Sequence, residues 1–256
     1  MAERIPARLR WPHYLLAALV YLALLLAWAP ASLLAWALPR ATQQVVWLDR
    51  AEGSVWRGHA GVRVQPAVGS EVQLGRANWQ LRPLDLFAGR LGYQLELGGA
   101  GIDAVATLRA GGQGGALQDV RAELPAGMLG QFSPDLALLQ PGGRVVLQAG
   151  SLAFARDKVE GQATLRWLDA VSGLIYQPLG NYRADLEGTD QGLAIKLSTE
   201  GGALVLQGAG QWNPRGGLKF FGTARPAPNS RTELEGLLSL IGPAQADGSR
   251  AIRIGR

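Results

Sequence analysis

From Val45 onward the apolar residues recur at every second position, and this period is the strongest constraint on what the chain folds into. Successive side chains of a strand point to opposite faces, so period two marks half-buried strands, whereas a helix repeats every 3.6 residues. Leu91, Tyr93, Leu95 and Leu97 alternate with Gly92, Gln94 and Glu96. Val159, Ala163, Leu165 and Trp167 share one face against Glu160, Gln162, Thr164 and Arg166, and the pattern returns at Tyr182-Ala184-Leu186, Leu193-Ile195-Leu197 and Leu218-Phe220. Turn signals separate these runs: Gly98-Gly99, Gly111-Gly112, Pro141-Gly142-Gly143, Arg156-Asp157-Lys158, Asp190-Gln191-Gly192, Gly201-Gly202 and Asn213-Pro214-Arg215. Such strands joined by short turns predict an antiparallel meander. A sheet with one apolar face must curl, pack on a second sheet or be covered. Gly161, Gly208, Gly210 and Gly222 fall on the inner face, where glycine permits tight coiling. The expected fold is therefore mainly β, a strongly curved antiparallel meander forming a groove or a sandwich.

Two helical stretches interrupt this region. Ser133-Pro134-Asp135 opens a short turn through Leu139 that Pro141 ends, with serine as cap and proline at the first helical position. Ser230 and Glu233 form a capping box, Leu234, Leu237, Leu238 and Ile241 make one apolar stripe, and Gly242-Pro243 stops the helix. It is expected to cap an open end of the sheet.

The first 44 residues follow a different rule. Trp11 to Pro39 carries no formal charge, and a helix over residues 11–29 would measure about 28 Å, close to the ~30 Å hydrocarbon core of a bilayer. Trp11, Tyr14 and Trp28 stand at its ends as interfacial aromatics. Arg4, Arg8 and Arg10 precede it, whereas Arg40 and Arg50 beyond it are balanced by Asp49 and Glu52. The positive-inside rule then gives a cytoplasmic tail over residues 1–10, a single transmembrane helix over 11–29, an interfacial linker over 30–44 and a periplasmic β domain over 45–256. Within the linker Ser32 is placed to cap a short helix through Leu38 whose Trp36 would lie in the outer interface. A cleaved signal peptide is the competing reading, since Ala27-Trp28-Ala29 resembles a cleavage site, but Pro30 directly follows it and the apolar region exceeds the roughly 7–15 residues of a signal core.

Composition removes most chemistry. Of 256 residues, 35 are glycine and none is cysteine, which excludes a disulfide scaffold. Glycine and proline follow no three-residue period and are interleaved with Leu, Val and Trp, unlike collagen or a disordered chain. His13 and His59 are the only histidines, too few for the usual zinc or haem ligand sets. The net charge of +5 is not clustered enough for a nucleic-acid interface. No Gly-x-Ser-x-Gly elbow surrounds Ser54, Ser151 or Ser172, and Gly112-Gln113-Gly114-Gly115 lacks the lysine of a phosphate loop. His59, beside Arg57 and Arg63, reads as a solvent-facing strand residue; Asp185 and Glu187 read as part of a solvated polar face. Trp47, Trp56, Trp79, Trp167 and Trp212 read as core, with a ligand groove as the alternative. No catalytic residue, cofactor or metal is expected.

Several local patterns occur together in order. These are Gly53-Ser54-Val55-Trp56-Arg57-Gly58, Trp79-Gln80-Leu81-Arg82-Pro83-Leu84 leading to Gly89-Arg90-Leu91, Leu179-Gly180-Asn181-Tyr182, Phe221-Gly222-Thr223-Ala224 and Leu237-Leu238 with Ile241-Gly242. With the Pro30-Ala31-Ser32 exit from the apolar helix, their order and spacing resemble the N protein family of type II secretion systems. The resemblance rests on Gly53, Trp56, Gly58, Trp79, Pro83, Gly89, Gly180, Tyr182, Gly222, Leu238 and Gly242, none of which is specific alone. It implies a non-enzymatic accessory component of the inner-membrane platform that supports export of folded proteins. The implied partners are the C, L and M platform components, the outer-membrane secretin and the lipid bilayer. The alternative from the residues themselves is a membrane-anchored periplasmic β-groove protein that binds lipid or another apolar ligand.

Overall fold

A computed structural model describes the chain except residues 1–10, 66–70, 88, 112–113, 133, 156–157, 214–215, 229 and 256. Arg4, Arg8, Arg10, Ser133 and the central residues of the turns at 156–157 and 214–215 thus lie outside the described residues. The chain opens with α1 (Trp11–Ala27) and α2 (Ser32–Ala41) and then enters one sheet. Its strands are β1 (Val46–Gly53), β2 (Arg57–Val64), β3 (Val72–Leu81), β4 (Leu91–Gly99), β5 (Ile102–Gly111), β6 (Gly114–Pro125) and β7 (Pro141–Ala155). They continue as β8 (Lys158–Ser172), β9 (Gly180–Thr189), β10 (Gly192–Gly201), β11 (Leu204–Asn213), β12 (Gly217–Pro226) and β13 (Arg250–Ile254). Short helices α3 (Pro83–Phe87), α4 (Leu129–Phe132) and α5 (Pro134–Leu139) sit in the connections, and α6 (Arg231–Ile241) precedes β13.

The 13 strands lie in strict sequence order, each antiparallel to the next. This is the meander that period two and the tight turns predict. The expectation of strong curvature fails: among the described residues the sheet is not strongly curled, β1 and β13 do not pair, and the strands form neither a barrel nor a sandwich. The protein exposes 17237 Å², against roughly 11,000 Å² for a compact protein of this mass.

The inner-face glycines that suggested coiling serve another purpose. Gly208 and Gly210 of β11 face Gly222 and Phe220 of β12. A Cβ on Gly210 would lie 2.8 Å from the Phe220 ring, one on Gly222 2.9 Å, and one on Gly208 would also strike it. The three glycines therefore make a flat seat on which the buried Phe220 ring rests. An aromatic ring covering bare strand backbone shields the ladder from water without bending the sheet.

Helices close only one end of the sheet. Leu234, Leu237 and Leu238 of α6 pack with Ala170, Leu179, Tyr182, Ala203, Leu204 and Ala224, burying three of the four residues of the predicted apolar stripe, while the Ile241 side chain lies outside those described. Ser230 makes no side-chain capping bond, so its half of the expected capping box is absent, and the Glu233 side chain lies outside those described. The Ser230 hydroxyl instead lies 3.5 Å from Gln177 Nε2. Further along the same end, Met128 packs with Val72 and Ile102. Within the core the Tyr182 hydroxyl donates to the Leu204 carbonyl at 2.9 Å, and its ring meets Trp167 with centroids 5.6 Å apart.

The N-terminal helices also depart from expectation. Among the described residues no helix is long and apolar enough to cross a membrane; α1 has 17 residues and ends at Ala27, not Ala29. Ala31, not Ser32, is the N-cap of α2, which runs past Leu38 and the buried Pro39 to Ala41. There the Thr42 hydroxyl donates to the Leu38 carbonyl at 2.8 Å and closes the helix.

Burial pushes the Tyr182 phenol well above its ordinary value, because a phenolate inside the α6 core would be desolvated. Its neutral form stabilises the fold fully below about pH 10, the ordinary ionisation of an unfolded tyrosine, and that contribution falls as pH rises further. Tyr182→Phe should cost about 1 kcal/mol near neutrality through the lost hydrogen bond. It should also give a shallower alkaline loss of stability than the parent, both read by denaturant unfolding of the full chain at pH 7.5 and 10.5.

Candidate functional site

The residues of the Gly53–Gly58 motif converge where α1 meets the sheet. At the end of α1 the Leu26 carbonyl accepts from the Ala29 N–H at 3.2 Å and keeps room for a second donor, and no polar side chain of the apolar helix is nearby to supply it. The β1–β2 turn supplies the donors. Trp56 Nε1 donates to the Leu26 carbonyl at 2.8 Å, and the Val55 N–H to the Ala29 carbonyl at 2.9 Å. In return the Ala31 N–H donates to the Gly53 carbonyl at 3.1 Å, while Pro30 and Ser54 form an isolated antiparallel bridge. The end of α1 is therefore built into the ladder as a short extra strand.

Beneath this clasp Trp79 is 7% exposed and donates its indole N–H to the Ser54 carbonyl at 3.0 Å. It packs with Ala31 and Ala60, and with Leu34, Leu48, Ala51, Tyr93 and Leu95 around them. Gly58 pairs with Trp79 across β2 and β3. A Cβ there would lie 2.5 Å from the Glu52 carbonyl and 2.6 Å from the Trp79 ring, so only glycine lets the indole reach under the turn. α2 then runs along β1 and covers that edge of the sheet. Leu33 and Trp36 stay exposed, with Arg40 stacked 4.1 Å from the Trp36 ring centroid.

The other motif residues fall into two places. Pro83 begins α3 and Gly89 follows it at φ +67°, closing the β3–β4 connection beside the clasp. Gly180 and Tyr182 on β9, Gly222 on β12, and Leu238 and Gly242 at the end of α6 belong to the opposite, helix-capped half. Trp11, Tyr14 and Trp28 are exposed at the two ends of α1. Sequence reasoning missed Leu26, Ala29, Ala31 and Val55, whose roles lie in backbone groups and carry no side-chain signature. The one available signal was the small, helix-ending Pro30-Ala31 pair ahead of a Gly-Ser-Val-Trp turn.

A hollow of about 1080 Å³ opens on the middle of the sheet, where Asp119, Arg121, Gln148, Gln162, Thr164 and Glu187 line it together with Val105, Val120, Ala149 and Ala163. An apolar ligand groove would need the reverse lining. Beside it Arg183 holds the Asp185 carboxyl below the usual carboxylate range, helped by the Thr164 hydroxyl at 3.3 Å. Asp185 and Glu187 both border a smaller hollow there with Lys196. His59 faces Glu52 at 3.3 Å on the surface, as a solvated strand residue does. Among the described residues no group of three or more His, Asp or Glu is placed to hold a metal.

An apolar helix with bare side chains, hydrogen-bonded into the end of an open antiparallel sheet, defines a helix-tethered β-sheet protein. The family model for the type II secretion system (T2SS), protein N, matches residues 44–253, from the end of α2 into β13. The chain belongs to this family, which is one of secretion components and not of enzymes. No curated protein and no solved structure matches it.

Gly58→Ala should lower stability by about 1–3 kcal/mol through overpacking of the Trp79 indole. Gly111→Ala is the matched control, because a Cβ there meets nothing within 4 Å. Comparing the unfolding midpoints of the two variants checks the claim, with Gly111→Ala close to the parent.

Proposed function

We propose that this protein is an accessory inner-membrane component of the type II secretion system, supporting export of folded proteins from the periplasm across the outer membrane. The family match over residues 44–253 carries the reading. α1 serves as a single-pass anchor with the N-terminus in the cytoplasm and the sheet in the periplasm. Its 17 helical residues, about 25 Å, stand at the short end of the range for a span, and Trp28 and Ala29 continue the apolar run outside the helix. Exposed side chains along its length, from Trp11 at 77% to Leu26 at 59%, support an apolar surrounding.

The sheet offers two kinds of surface to partners. β1 is covered by α2, whereas β13, past the Ala244–Arg250 bridge, presents an outer edge with unpaired backbone groups suited to strand addition. The polar hollow over β5 to β9 offers charged and amide groups to a folded partner. The C, L and M platform components and the secretin are the expected occupants of these surfaces. Deleting the gene in a cell with an otherwise complete apparatus should leave a folded substrate in the periplasm, measured as the secreted fraction. Unchanged secretion would sink the role. A cysteine introduced at Ser54 should react with a membrane-impermeant maleimide in cells with permeabilised outer membranes, and one at Arg8 should not.

A further inference from the structure

The short helix α3 has its polarity inverted. Leu84 is 79% exposed and Leu86 45%, while the Asp85 side chain between them is only 17% exposed. Its carboxylate is tucked 3.7 Å from Arg82 Nε and 3.7 Å from Arg109 Nε, and the Arg90 N–H donates to the Asp85 carbonyl at 3.0 Å. A connection bathed in water would present the carboxylate and bury the leucines. Here the carboxylate turns in between two arginines while both leucines face outward.

The position of α3 supplies the surrounding that such a tip fits. The Leu81 N–H donates to the Trp56 carbonyl at 2.6 Å, and Trp56 in turn holds the Leu26 carbonyl of α1. α3 thus begins two residues after a β3 residue, Leu81, that is linked through Trp56 to the end of the bare apolar helix. Arg82 and Arg90 flank α3 in the chain, and Arg57 pairs with Gln80 at the end of β3. We infer that α3 is a second membrane contact, a wedge whose Leu84 and Leu86 enter the interfacial layer of the bilayer leaflet from which α1 emerges, with the bordering arginines meeting anionic headgroups. This rests on α1 lying in the membrane. Two fixed contacts at one end of a rigid sheet set the tilt of the sheet on the membrane, which one helix alone leaves free.

The cysteine-free chain permits a direct test with the full-length protein in vesicles of phosphatidylethanolamine and phosphatidylglycerol. Leu22→Cys in α1, Leu84→Cys in α3 and Leu138→Cys in α5 each carry an environment-sensitive NBD label. Leu138 is 70% exposed but lies at the opposite end of the sheet, so it controls for apolarity alone. The Leu22 and Leu84 probes should shift to the blue, with the Leu84 probe quenched most by a shallow spin-labelled lipid and its shift reduced when phosphatidylglycerol is omitted. The Leu138 probe should stay water-like. A membrane-embedded Leu22 probe with a water-like Leu84 probe overturns the wedge while leaving the anchor intact. A water-like Leu22 probe overturns the anchor and the wedge together.

Discussion

The structure depends on how the carbonyl end of α1 is satisfied. The Leu26 carbonyl accepts one local bond, from the Ala29 N–H, and no side chain of this apolar stretch can return to it or to the Ala29 carbonyl, so further donors must come from elsewhere. Trp56 and Val55 provide them from the β1–β2 turn, and Trp79 holds that turn from below. The result converts a flexible tether into a fixed joint. Because the same turn is the start of the ladder, the orientation of α1 is passed strand by strand into the sheet, and α3 is held next to it.

Beyond the joint, the sheet solves its exposure problem unevenly. Helix α6 and the Met128 region bury the apolar residues at one end, and α2 protects the β1 edge. At the opposite end Leu84, Leu86 and Leu91 stay exposed, and at the helix-capped end Leu138, Leu174 and Tyr176 do as well. The sheet is a long single layer with exposed apolar side chains at both ends. The hollow over its middle strands is lined by more polar than apolar surface.

Much of this could be read from the residues. Leu91 to Leu97, Val159 to Trp167 and Leu193 to Leu197 alternate because side chains on a strand alternate, and all three are strands in the sheet. The α6 stripe was equally plain, since Leu234, Leu237 and Leu238 share one helical face. The family was readable from the order of its glycine and tryptophan motifs. The curvature was misread at Gly208, Gly210 and Gly222, because a glycine in a strand looks the same whether it permits coiling or seats a neighbouring ring.

The sequence alone determined the strand period, the meander connectivity, the lack of cysteine chemistry and the presence of one bare apolar helix, because each follows from local spacing or from composition. Tertiary structure decided that Trp56 reaches a carbonyl 30 residues away, that Asp85 turns inward and its leucines outward, and that the sheet stays open. These outcomes hinge on which backbone groups and side chains meet across distant segments. Local pattern carries no record of such meetings, because a donor finds its acceptor only once the strands have taken their register.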